Sequence, residues 1–251
     1  MKIYYLYNSG FTIELGADAL IVDYCGGKLD RPWRTPVPND PAGYGDIYAL
    51  ASHAHGDHYS AKIFDWLSER GDIRYILSDD IKAPGPALKK TTGSGRPAAF
   101  IGEGERLRSG NLDIRAYGST DQGVSFHITA EDGTSLFHAG DLNYWHWRDE
   151  STPDEIEEAL SLFTDKLSAI KKGIGKLDVA FFPVDPRLGS DYYRGAVMFC
   201  EALKPALLVP MHFAAAALPA AVFSPPEPFL NEVTRYTRVA GVGPGPGVIK
   251  I

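Results

Sequence analysis

The stretch Ser52-His53-Ala54-His55-Gly56-Asp57-His58 constrains this chain more than any other. It follows directly on the apolar run Ile47-Tyr48-Ala49-Leu50-Ala51. In an extended backbone, residues two apart point the same way, so His53 and His55 can present their imidazoles to one point. The chain then turns at Gly56, which returns Asp57 and His58 toward the same region. Imidazole and carboxylate are the donors that a borderline divalent ion such as zinc prefers. Three of the chain's 7 histidines fall here, a concentration that a solvated polar turn does not require. The spacing predicts a metal site at the end of a strand.

His-x-His-x-Asp-His after an apolar strand resembles the signature of the metallo-β-lactamase fold superfamily. Two later stretches extend the resemblance. Leu136-Phe137-His138-Ala139-Gly140-Asp141 is similar to the strand that delivers a bridging aspartate, here Asp141. Leu207-Leu208-Val209-Pro210-Met211-His212-Phe213 is similar to the strand that delivers the last histidine, here His212. The matching stretches run from the first strand to His212 and so cover most of the chain. The resemblance implies an α/β (α+β) fold, a four-layer αββα sandwich of two mixed sheets with helices on the outer faces, in a single domain over residues 1–251. Pro210-Met211-His212-Phe213 and the short length look most like the compact branch that includes sugar-lactonase-like proteins.

Related enzymes usually complete the first metal's shell with a third histidine, in a Gly-His-Thr-like turn before a strand. The corresponding turn here is Gly118-Ser119-Thr120-Asp121, and Ser119 stands where the histidine is expected. Three arrangements fit. Asp121 can fill the position, since carboxylates bind zinc, manganese and iron well. The first site can be weakened, leaving one ion held by Asp57, His58, Asp141 and His212. Or a histidine can be recruited from elsewhere, from His127, His138 or His146. We favour Asp121 as a partial substitute.

The resemblance then implies that His53, His55 and Asp141 hold a first ion with help from the Ser119/Asp121 turn. Asp57, His58, Asp141 and His212 hold a second, with Asp141 bridging. Asp57 doubles as the catalytic residue that orients the water or accepts its proton. One or two divalent ions are implied, zinc foremost, with manganese or iron as alternatives. The activity implied is that of a metal-dependent hydrolase, whose metal-bound hydroxide attacks a small ester, lactone, amide or phosphodiester. The alternatives are a phosphodiesterase or RNA-processing nuclease of the same fold, and a non-catalytic metal-binding relative. No Ser-His-Asp constellation or Walker-type glycine loop offers a different chemistry.

Composition narrows the partners. The formal net charge is -7, and no lysine or arginine cluster is long enough to form a nucleic-acid stripe, so a small-molecule substrate is expected rather than nucleic acid. A homo-oligomer is compatible with the sequence. Cys25 and Cys200 do not read as a disulfide scaffold. Met1 to Leu6 reads as a strand rather than a signal peptide, and the apolar stretch from Phe213 to Phe223 is interrupted by Pro219 and too short to span a bilayer. A cytoplasmic location follows by default.

Along the chain, residues 3–7, 11–15 and 19–23 alternate and turn like an antiparallel meander, closed by Asp23. Residues 24–46 lose all periodicity and form a long loop, from which Arg31, Trp33, Arg34 and Tyr44 could reach a substrate. Residues 61–70 predict a helix with Ile63, Phe64 and Leu67 on one face. Residues 84–97 predict a surface loop carrying Lys89, Lys90 and Arg96. Further strands are expected at 73–77, 112–117, 124–128, 136–138, 179–182 and 206–211. Thr152-Pro153-Asp154-Glu155 predicts a capped helix start, with the helix running to about Lys172; a second helix is expected over 193–203. Asp185 and Arg187 read as a surface pair shaping a turn, with Arg187 as a minority candidate for clamping a carboxylate or phosphate.

Overall fold

The computed structural model describes residues 1–26, 44–68, 72–81, 98–213, 225–242 and 248–250. Arg31, Trp33, Arg34, Lys89, Lys90 and Arg96 lie outside the described residues. The chain divides into two compact units, Met1–Gly102 with Pro244–Ile251, and Glu103–Gly243. Each is built on one mixed seven-stranded sheet, as the α/β reading requires.

In the first unit, β1 (Lys2–Tyr7), β2 (Gly10–Leu15) and β3 (Asp18–Val22) form the expected antiparallel meander. Asn8 makes the first turn at φ 50, a left-handed conformation that asparagine tolerates. The sheet continues in parallel through β4 (Ile47–Ala51), β5 (Ile73–Ser78) and β6 (Ala99–Ile101), while β14 (Val248–Lys250) pairs antiparallel with β1. Every residue of β3 and β4 is buried, the pattern of strands covered on both faces. One face packs Ile21, Ala49, Ala51 and Tyr75 against Ile63, Phe64 and Trp66.

Those last three residues belong to a 3-10 helix, Ala61–Ser68, where the sequence predicts an α-helix. The Ile63 amide donates to Ser60 O at 3.1 Å, a three-residue closure. The Tyr75 hydroxyl, delivered from the sheet, donates to Ile63 O at 2.8 Å and competes for the carbonyl that the next α-helical turn would use. Ile63 and Phe64 are buried as expected, joined by Trp66. Only the winding differs.

The second unit begins with an antiparallel run, β7 (Arg106–Ser109), β8 (Leu112–Gly118), β9 (Val124–Ala130) and β10 (Ser135–His138). It switches to parallel pairing through β11 (Val179–Pro183), β12 (Leu207–Met211) and β13 (Arg238–Val239). Helix α1 (Pro153–Gly173) starts where expected. Thr152 accepts from the Glu155 amide at 3.4 Å, and Glu155 accepts in return from the Thr152 amide at 2.7 Å. Phe163, Leu167 and Ile170 form its buried stripe. Helix α2 (Arg194–Leu203) and the short α3 (Glu227–Val233) complete the unit. Phe182 on β11 joins the layers, with its ring centroid 6.2 Å from Phe163 of α1 and 4.7 Å from Phe199 of α2.

The parallel strands position the chemistry. In parallel sheets, functional groups gather beyond the carboxyl ends of the strands. Here β3 and β4 lead into Asp23 and Ser52, and β10, β11 and β12 lead into Asp141, Asp185 and His212. For the helix cap, Thr152→Ala should lower unfolding stability by about 1 kcal/mol. Urea denaturation reads this out, and an unchanged midpoint would show that the box adds nothing to α1.

Candidate metal centre

In the first unit the histidine motif leaves β4 through Ser52 and coils once after Gly56. The amides of His58 and Tyr59 both donate to His55 O, at 3.0 and 2.9 Å. This turn draws the three imidazoles together, with ring centroids of His53 4.6 Å from His55 and 4.1 Å from His58. His53 and His58 are buried and His55 is exposed. Asp57 is half-buried. Its Oδ2 accepts from Asn8 Nδ2 at 3.1 Å and lies 3.8 Å from His58 Nε2.

The orientation of these rings comes from Asp23. It is fully buried and held at φ 50, a costly conformation for a residue with a side chain. Its carboxylate accepts from the Ser52 amide at 2.7 Å, from the Ser52 hydroxyl at 2.7 Å and from His58 Nδ1 at 2.7 Å. A carboxylate can only accept, so the His58 proton sits on Nδ1 and its lone pair on Nε2. Ser52 Oγ spends its own proton on Asp23 and therefore accepts from His53 Nδ1, 3.0 Å away. His53 is thereby set in the same tautomer. This is the outer-shell pattern that fixes metal-ligating histidines.

The second unit repeats the device. His212 follows β12 at φ 61, and its Nδ1 donates to Asp185 Oδ2 at 3.1 Å. Its Nε2 lies 3.4 Å from Asp141 Oδ1. Asp185 also accepts from Arg187 Nε at 2.9 Å and from the Arg187 amide at 3.0 Å. Burial pushes the Asp185 carboxyl up, but the His212 and Arg187 hydrogen bonds outweigh it and hold the group below the usual carboxylate range. Trp145 braces both donors: its Nε1 donates to Asp141 O at 2.8 Å, and its ring meets His212 edge-on at 5.5 Å.

The turn that lacks the expected histidine is anchored within this unit. Thr120 Oγ1 donates to Asn143 O at 2.6 Å and accepts from the Asn143 amide at 2.9 Å, which ties the turn to the loop after Asp141. Asp121 is exposed, and its amide donates to Ser119 Oγ at 3.2 Å. Two of the histidines weighed as replacements are committed elsewhere. His146 bonds Asp191 Oδ1 at 2.9 Å and Tyr144 O at 3.0 Å, and His127 bonds Ser135 Oγ at 2.9 Å. His138 accepts from the Gly140 amide at 3.2 Å and lies against Phe181.

Two functional residues differ from their sequence reading. Asp185 does pair with Arg187 and caps the turn Pro186–Leu188 as expected, but it is fully buried behind His212 rather than at the surface, because parallel pairing sets Pro183 opposite Met211 and brings the two strand ends together. The sequence marks Asp23 only as the close of a strand. Its signal was an aspartate directly after an apolar run, and the register of β3 on β4 turned that position toward Ser52. Burial pushes the Cys25 thiol up to about 11, so it is protonated at neutral pH. Tyr44 is tied to Glu14 at 2.7 Å.

The donors in each unit suit a divalent ion: imidazoles whose Nδ1 is engaged by Ser52, Asp23 or Asp185, beside further carboxylates. No protein-family model matches the sequence, and no curated protein does. Solved structures do. Igni18, a metallo hydrolase from Ignicoccus hospitalis, is 18% identical with a TM-score of 0.60, over 100% of this chain and 98% of that one. The metallo-β-lactamase fold protein YhfI from Bacillus subtilis is 14% identical with a TM-score of 0.63, over 99% and 98%. CmlA, a diiron β-hydroxylase from Streptomyces venezuelae, is 13% identical with a TM-score of 0.59; the match covers 100% of this chain but 54% of CmlA. Two mixed sheets, the strand-end donors and these likenesses lead to one conclusion: the chain has the metallo-β-lactamase fold.

Proposed function

We propose that this protein is a metal-dependent hydrolase of small molecules that works with one or two divalent ions. The observation that carries this reading is the repeated histidine–carboxylate pair, His58 on Asp23 and His212 on Asp185. A buried carboxylate on Nδ1 is how proteins aim Nε2 at a metal. In this reading His53, His55 and Asp141 take one ion, with Asp121 substituting in part for the absent histidine. Asp57, His58, Asp141 and His212 take the other. Zinc suits this set best, with manganese or iron as alternatives.

A bound divalent ion supplies water of lowered pKa and polarises a carbonyl or phosphoryl oxygen. The chain's own part is to place and deprotonate. Asp57, steadied by the Asn8 amide, orients the attacking water and receives its proton. Asp23 and Asp185 hold their imidazoles still. Trp145 and Trp147, stacked at 6.2 Å, offer a flat apolar wall beside His212, with the Arg187 guanidinium 5.8 Å above Trp147. The substrate class is a small ester, lactone, amide or phosphodiester. The net charge of -7 supports a small molecule over a polynucleotide. Among the described residues no helix is long and apolar enough to cross a membrane, and a cytoplasmic setting belongs to the same proposal.

The test is a panel of nitrophenyl esters, lactones and bis(nitrophenyl) phosphate, assayed on protein reconstituted with zinc, manganese or iron. Turnover should disappear on chelation, return with the ion and fall at least about a hundredfold in His58→Ala. Turnover that survives both treatments would contradict the proposal. Separately, Asp23→Asn and Asp185→Asn should each weaken metal affinity about 10–100-fold, read by competition with a chromophoric chelator. Wild-type affinity in both would remove the argument from the histidine–carboxylate pairs.

A further inference from the structure

A polar cavity of about 420 Å³ opens on the sheet of the second unit. It lies toward the ends of β8 and β9 away from the Ser119–Asp121 turn, and none of the proposed metal donors lines it. Its floor is a cross-strand row in which Arg106 of β7 stands opposite Arg115 of β8, and Arg115 opposite His127 of β9. Like charges directly opposite one another in a sheet are destabilising. One carboxylate is present to offset them. Asp113 takes Arg106, with Nε to Oδ1 at 2.7 Å, and this hydrogen bond holds the Asp113 carboxyl below its usual range.

Arg115 is left in excess. No carboxylate pairs with it among the described residues. Its guanidinium lies 4.8 Å from the Tyr117 ring centroid, which fixes its direction without neutralising it. The end of α1 closes the cavity at Gly173, where a side chain would run into Tyr117 Oη and Arg115 Nη1. Lys171 and Lys172 in the last turn of α1 offset the carbonyl end of that helix and do not line the cavity. Burial lowers the His127 pKa, so the ring is neutral at pH 7 and serves as a hydrogen-bonding group beside Thr129. The lining carries two guanidinium groups against one carboxylate.

We propose that this cavity is a binding site for a small organic anion, with a phosphate or carboxylate group on Arg115 and its polar remainder against His127 and Thr129. The volume falls in the range of small-molecule sites and exceeds what a bare inorganic anion fills. A guanidinium held by its own sheet on an aromatic ring is preorganised for a planar or tetrahedral oxyanion. The site is independent of the metal centre and of the reaction proposed there.

Amide NMR of the full-length, metal-loaded protein tests this, with inorganic phosphate and succinate as separate probes. Saturable shifts should appear on β7, β8 and β9 with at least one of them, and the preferred probe identifies the anionic group. In Arg115→Gln the affinity should fall at least about tenfold, with the rest of the spectrum unmoved. Arg108→Gln, which removes an exposed arginine that does not line the cavity, should bind as wild type. Three results would overturn the proposal: no saturable shift with either probe, shifts that persist in Arg115→Gln, or equal weakening in Arg108→Gln.

Discussion

A buried carboxylate on the Nδ1 of a buried histidine is the interaction on which this structure turns. It occurs twice, as Asp23 with His58 and Asp185 with His212. Removing a carboxylate from water is expensive unless its lone pairs are satisfied. Asp23 meets that cost with the Ser52 amide, the Ser52 hydroxyl and the His58 ring. Asp185 meets it with His212 and with the side chain and amide of Arg187. Each pair then fixes which nitrogen of its imidazole carries the lone pair.

Strand geometry makes the arrangement possible. Both pairs sit where neighbouring parallel strands end together, β3 beside β4 and β11 beside β12. The chain bends sharply at these ends, and Asp23 and His212 adopt left-handed backbone at φ 50 and 61. Non-glycine residues keep such conformations only where their surroundings over-determine them. The hydrogen bonds to Ser52 and Asp185 provide that restraint. Fold and site are thus one problem: the register that buries Ile21 and Val209 also sets the donors.

Much of this was legible in the sequence because periodicity and motif spacing are local properties. The meander, β4 and the capped start of α1 all follow from residues close in the chain. The clustering of three histidines just after β4 is local in the same way. What was not legible depends on register between distant strands. Asp185 looked like half of a surface turn until β11 was set beside β12, and Asp23 looked like a strand end until β3 was set beside β4. The 3-10 winding of residues 61–68 likewise answers to Tyr75, a partner from the following strand. The short strands β6, β7 and β13 are too brief for periodicity to mark them.

The central claim is that the carboxylate-backed histidines His58 and His212 are ligands of the proposed divalent metal. Elemental mass spectrometry of the purified chain after gentle dialysis, alongside His58→Ala and His212→Ala, tests it most directly. The account predicts about one to two divalent ions per wild-type chain and the loss of at least about one in each variant, since both histidines belong to the proposed ligand set. A wild-type chain that keeps no divalent ion, or a His212→Ala chain that keeps the wild-type amount, would contradict it.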